Sequence, residues 1–410
     1  MNLRNGFLKF AVPLMVLALL LACALPELPR EETEIAVVTD VPAVTEEQPV
    51  DVPTLTPLTP TDTATPEPEP MSLPVLSSPT FRLIDRIDAD NGWGLTADKV
   101  AITVDGGVTW YDVSVVGVSD YSRALAYFLD VNHGWVLVPA PGDMSGSLYR
   151  TADRGENWTA SAFNYQSSQI KYLDALHGYA MIGLGAGAGS MAIAVVTTND
   201  GGATWTQVFH NDPTIAGAND SLPLGGMKNG VTYRDTTHAW LTGAKPQDGF
   251  VYIYRSIDGG ANWAQQGLAL PAGMESAMVI LRSPEFYGTS NALLFSWLMT
   301  PADNLAYVYR SADGGESWTA GTPIPPARSI TSSDASNIWS WHETGLYHST
   351  DGGVSWALLS PGLPGGSDSV ILDFVSGGYG WALLRDGDDT TPDVLMGTTD
   401  GGQNWTTLAP

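Results

Sequence analysis

The stretch Ser349-Thr350-Asp351-Gly352-Gly353-Val354-Ser355-Trp356 (STDGGVSW) decides how this chain is read. Two glycines, a carboxylate and a tryptophan could build a metal or phosphate loop, or they could build a turn of the fold. Recurrence separates the two. Related windows are TVDGGVTW from Thr103, TADRGENW from Thr151, TNDGGATW from Thr198, SIDGGANW from Ser256, SADGGESW from Ser311 and TTDGGQNW from Thr398. The leading aspartates, Asp105, Asp153, Asp200, Asp258, Asp313, Asp351 and Asp400, are spaced by 48, 47, 58, 55, 38 and 49 residues. Such a period implies a repeat architecture. A site does not need seven copies, so the aspartates are structural: each accepts backbone N–H groups in its own turn.

A second mark recurs between these turns. It is Asn91-Gly92-Trp93, His133-Gly134-Trp135, His177-Gly178-Tyr179, His238-Ala239-Trp240, Asn337-Ile338-Trp339 and Tyr379-Gly380-Trp381, with Asn291-Ala292-Leu293 as a degraded copy. Each mark opens a short apolar run. In the second unit, Ala124–Asp130, Gly134–Val138, Ser147–Ala152 and a run from Trp158 read as four antiparallel strands. One four-stranded sheet cannot bury both faces, whereas seven packed around an axis can. The chain is therefore expected to be all-β, a seven-bladed β-propeller over residues 79–410.

The aspartate windows resemble the Asp-box, or BNR, repeat of sialidases, sortilin-type receptors and many secreted propellers. The whole of 79–410 resembles the photosystem II stability and assembly factor-like group. That resemblance implies an Asp-box turn between the third and fourth strands of each blade. It also implies a scaffold role in handling envelope proteins. Sialidase-type glycoside hydrolysis and lectin-like polysaccharide binding are the alternatives, because fold does not fix function.

Charge and cysteine usage exclude several classes. With 44 acidic and 18 basic residues and a net charge of -26, the chain lacks the cationic surface that nucleic acid requires. Its one cysteine, Cys23, permits no internal disulfide and no cysteine-based zinc site. Residues 1–22 read as a signal peptide, with Arg4 and Lys9 ahead of the apolar run Phe10–Leu21. Leu20-Leu21-Ala22-Cys23 resembles a bacterial lipobox, which implies lipidation of Cys23 and tethering outside the cytoplasmic membrane. Residues 23–78, rich in Pro, Thr and Glu, read as a disordered linker able to reach on the order of 100 Å.

Candidate sites come from what does not repeat. His133, His177 and His238 occupy one turn of successive blades, so they are expected along a rim and not around one metal. Asp88–Gly92 and the run Asp386–Asp389 read as turns. Arg150, Arg255 and Arg310 share one offset before an aspartate turn, which marks them as part of the repeat. Glu275, Glu285 and Glu343 are the glutamates left for an acid–base pair, should the chain be a glycosidase. The longest loops, Val208–Gly230, Gln265–Ala277 and Leu298–Ala306, are expected on the face opposite the turns. Trp297 and Trp341 fall outside both marks and, with His342 and Glu343, are expected to form a sugar or peptide platform. No metal or cofactor is expected. The partner is an envelope or extracellular protein, or a glycan, met by a monomer. No strand is evidently left over to latch the ring.

Overall fold

The computed structural model describes residues 73–140, 145–165, 167–325, 327–342, 344–360, 363, 369–385 and 393–409. Cys23, the signal peptide, the linker up to residue 72, Asp386–Asp389 and Glu343 lie outside the described residues. The described chain forms seven antiparallel blades in sequence order, spanning 83–112, 125–163, 167–210, 227–265, 278–324, 329–360 and 369–409. Blade five splits its innermost strand into Met278–Leu281 and Glu285–Tyr287, both paired with Asn291–Met299. A single pairing, Ala244 with Ile280, joins blades four and five.

STDGGVSW connects Gly345–Ser349 to Ala357–Ser360, the third and fourth strands of blade six. Ser349 Oγ donates to Asp351 Oδ1 (2.8 Å) and accepts from Gly353 N (2.7 Å). Asp351 Oδ1 takes the Ser355 N–H (2.9 Å), and Oδ2 takes its hydroxyl (2.6 Å). Gly352 and Gly353 have φ of 71° and 85°, values that residues with a Cβ resist. Gly352 N then donates to Ser336 O (2.9 Å), tying this turn to the one between the first two strands of the blade. The same tie recurs in the other blades, as in Gly106 to Asp90 O and Gly401 to Gly378 O. Both kinds of turn therefore lie on one face of the ring.

The Gly-Trp marks bind blade to blade. Trp93 stacks on Phe128 (4.5 Å, 5°), Trp135 on Tyr172 (3.7 Å, 12°) and Trp339 on Phe374 (3.8 Å, 7°). Each ring comes from one blade and its partner from the inner strand of the next. Trp240 meets Phe286 and Tyr179 meets Tyr233 in more tilted pairs. The indole N–H groups also cross: Trp135 to Gly201 O (2.9 Å), Trp339 to Gly401 O (2.9 Å) and Trp381 to Gly106 O (3.0 Å). Trp93, Trp240, Trp339 and Trp381 are fully buried. Burying such a ring stabilises by roughly 4–6 kcal/mol at most. The aspartate-turn tryptophans do less of this bonding. Trp110, Trp158 and Trp405 find carbonyls, whereas the buried N–H groups of Trp205, Trp263, Trp318 and Trp356 have no partner among the described residues.

The ring closes without a shared strand. Arg86 of blade one lies over Trp381 of blade seven, 5.1 Å from the ring, and donates to Gly380 O (3.0 Å). Its backbone N–H donates to Asp373 Oδ2 (2.5 Å). Phe81, Ile84, Trp110, Trp381, Leu383 and Leu395 form the core of this seam. Residues ahead of position 79 also belong to the folded part. Leu76 N donates to Trp110 O and Asp112 N to Pro74 O (both 2.8 Å), a single antiparallel bridge of Val75 with Tyr111 on the outer edge of blade one. That segment pairs within blade one and does not latch blade seven.

Candidate functional site

The innermost strands line the axis, and one position on them carries five residue types over the seven blades. Strand pairing sets Asp85, Tyr127, Lys171, Thr232, Glu285, Thr331 and Asp373 opposite the aromatic or leucine of the mark. The seven form a ring near the turn-bearing end of the axis, three residues ahead of the first turn in blades one, two and three. Three carboxylates, one ammonium and one phenol thus share one level of the fold. All but the buried Thr232 are partly accessible.

The side chains around this ring sense one another. Burial, and next the Asp373 carboxylate, push Asp85 well above the usual carboxylate range; a hydrogen bond from the Phe128 backbone opposes this. Burial pushes Asp373 up to about 6, against the pull of Arg86. Tyr127 rises to about 12 through burial, with Asp85 adding to it. Across the axis, burial lowers Lys171, while Glu285 of blade five opposes the shift and Arg282 reinforces it. Lys171 Nζ has no hydrogen-bond partner among the described residues. Glu285 accepts from Ser332 Oγ (2.6 Å) and Tyr287 OH (3.1 Å), and lies 3.6 Å from Arg282. The ring therefore offers protonatable acids on one side and an unpartnered cation on the other, suited to a ligand with groups of both signs.

The structure separates the other candidates. Trp341 is only 4% exposed and packs with Trp339, Leu346, Val370 and Leu372 between blades six and seven. It presents no face to a ligand, which corrects the expected platform. Trp297 is partly buried against the core between blades five and six. His342 is partly buried on the inner side of its hairpin. Glu275 stands exposed on a loop, apart from Glu285 on its inner strand, so the glutamates do not converge. Each histidine of the supposed triad bonds the aspartate three residues before it: Asp130, Asp174 and Asp235. Asn91 spends the Asp88 carboxylate in the same way. Among the described residues no group of three or more His, Cys, Asp or Glu is placed to hold a metal.

The shared-register arginines are ties between blades. Arg150 donates to Asp200 O (2.8 Å), Arg310 to Gly352 O (2.9 Å), and Arg255 pairs with both oxygens of Glu316. They do not converge on the axis, so no carboxylate clamp of the sialidase kind is built from them. Opposite the turns, the loop face is raised over blades three to five. The hairpin of Gly178–Gly187 and Ser190–Thr198 and that of Asn291–Met299 and Asn304–Ser311 have the longest strands there. Between them the loop 211–226 is held by Lys228 Nζ, which donates to the carbonyls of Met191, Pro223, Leu224 and Gly226 at 2.7–3.1 Å. The expected loop at Leu298–Ala306 is mostly strand, closed by a tight turn at 300–303.

The axial ring does not stand out in the sequence because its residue type changes from blade to blade. The signal was there: every ring residue precedes its marked aromatic or leucine by eight positions. No protein-family model matches this sequence, and no curated protein matches it significantly. Among solved structures, the chain is similar to an oligogalacturonate lyase from Vibrio parahaemolyticus, at 9% identity over 80% of this chain and 92% of that one, TM-score 0.52. It is also similar to YCF48 bound to D1 peptide (17% identity, 80% and 96% covered, TM-score 0.49). A further likeness is to YCF48 from Cyanidioschyzon merolae (14%, 80% and 97%, TM-score 0.47). At these identities the likeness is one of fold: the chain is a β-propeller.

Proposed function

We propose that this propeller is a non-catalytic binding module that holds a segment of an envelope or extracellular protein, acting as an assembly scaffold. In this reading it is tethered outside the cytoplasmic membrane through lipid on Cys23. The observation that carries the reading is the axial ring, a level of the fold where the seven blades present five residue types and both charge signs. Polypeptide carries groups of both signs, and complementary charge selects a partner. The arginines that a sialoside carboxylate would need are occupied as ties between blades.

Glycoside hydrolysis is the second reading, and the raised acids Asp85 and Asp373 favour it, since a general acid must hold its proton near neutral pH. Assays on fluorogenic sialosides, arabinosides and galacturonides separate the two. The binding reading expects no turnover above background. Turnover that disappears in Asp373→Asn overturns it. The tether is tested by membrane fractionation: Cys23→Ser should release the protein, and retention in the membrane contradicts lipidation.

A further inference from the structure

The seam between blades three and four differs from its neighbours. A cavity of about 280 Å³ opens there on the turn-bearing face, lined by Tyr179, Thr197, Thr206, Tyr233, Asp258 and Gly259 among others. Two residue choices make it. Tyr179 stands where five blades carry the larger indole. Thr197 pairs with Tyr179 across the sheet, at the place where blades two, four, five and six carry Arg150, Arg255, Arg310 and His348. The blade-five seam, where Leu293 replaces the indole, also holds a cavity of about 420 Å³, yet there Arg310 still crosses to Gly352 O.

Arginine is what four of the other six seams place here, including both seams next to this one; between blades six and seven Gly401 also lacks a covering side chain. Arg150, Arg234 and Arg310 lie against the first glycine of the next blade's turn, at Gly201, Gly314 and Gly352, and Arg86 lies against Gly106 of its own blade. Three of them donate to a carbonyl of that turn: Arg150 to Asp200 O (2.8 Å), Arg234 to Gly314 O (2.7 Å) and Arg310 to Gly352 O (2.9 Å). No side chain covers Gly259 in this way. Its carbonyl accepts only from Tyr233 OH (2.9 Å), a residue of its own blade. Neither Tyr179 nor Thr197 reaches the turn among the described residues. What is missing from this seam is a guanidinium beside the Tyr179 ring and the turn of Asp258 and Gly259, both of which line the cavity.

We propose that the cavity is a binding site for the arginine side chain of a partner polypeptide. The guanidinium takes the place that Arg150 and Arg310 fill in their own seams. It donates to the turn carbonyls and lies along the face of Tyr179 turned away from Tyr233, as guanidinium does on aromatic rings. The net charge of -26 draws a basic segment toward this surface. The site is separate from the axial ring and does not depend on it.

Titration calorimetry of the full chain with N-acetyl-arginine methylamide, set against the lysine analogue, tests the assignment. The arginine probe is expected to bind, with the lysine probe at least about fivefold weaker, because a point charge lacks the planar fork. Thr197→Arg supplies the chain's own guanidinium and should abolish probe binding; Tyr179→Leu, which removes the ring the guanidinium lies on, should weaken it at least about threefold. Absence of arginine binding to the unaltered protein at tens of millimolar overturns the proposal. So does equal binding of the lysine probe, or undiminished binding to a folded Thr197→Arg or Tyr179→Leu variant.

Discussion

Asp373 sits half-buried on the inner strand of blade seven with one oxygen on the Arg86 backbone N–H. Burial pushes its carboxyl up to about 6, from 3.8 for the free group. The native state therefore binds more protons than the unfolded chain across that window, and stability falls as pH rises through it. The cost at neutral pH is about 3 kcal/mol at most. Asp373→Asn should match the unaltered protein near pH 4 and exceed it by about 1–3 kcal/mol at pH 7 in urea unfolding; parallel pH profiles would contradict this. Arg154 gives a second residue-scale test. It holds the place of a turn glycine at φ 65°, a conformation costing about 1 kcal/mol for a residue with a Cβ. Arg154→Gly should raise the midpoint of thermal unfolding by a few degrees. The aspartate turns were fully legible in the sequence, since recurrence alone told structure from chemistry. Trp341 was not. Its even offset from Trp339 fixed a shared face, but parity does not say what covers that face, and blade seven does.

The seam is the element that decides packing. Trp339, wholly buried, stacks on Phe374 on one side and on His348 (4.3 Å, 6°) on the other, while its N–H crosses to Gly401. Trp339→Ala removes a ring, a carbonyl partner and the filler of one seam together. The expected loss is about 3–5 kcal/mol, read by denaturant unfolding. A loss below about 1 kcal/mol would mean that the seam is not held by its indole. The marks themselves were visible in the sequence as Gly-Trp pairs, and the glycine has a reason: a Cβ at Gly92 would fall 2.2 Å from the Trp381 ring. Their reach into the next blade was not visible, because it depends on how sheets stack.

At the scale of the molecule, the seven units were legible from two independent marks, and the structure bears out the all-β propeller. Closure was not legible. It rests on Arg86, Asp373 and Trp381, residues of the first and last blades that no local pattern links. The axial ring belongs to the same class of fact: seven residues of five types, far apart in sequence, are placed at one level by the strand register. The account stands on that ring binding polypeptide. Thr331→p-benzoylphenylalanine puts a photoreactive group on the ring at a partly accessible threonine. Irradiation of the full-length protein in its native envelope should yield an adduct on a polypeptide, identified by mass spectrometry and lost in Lys171→Ala and Asp373→Asn. A folded protein giving no polypeptide adduct, or the same adduct in both variants, would contradict the account.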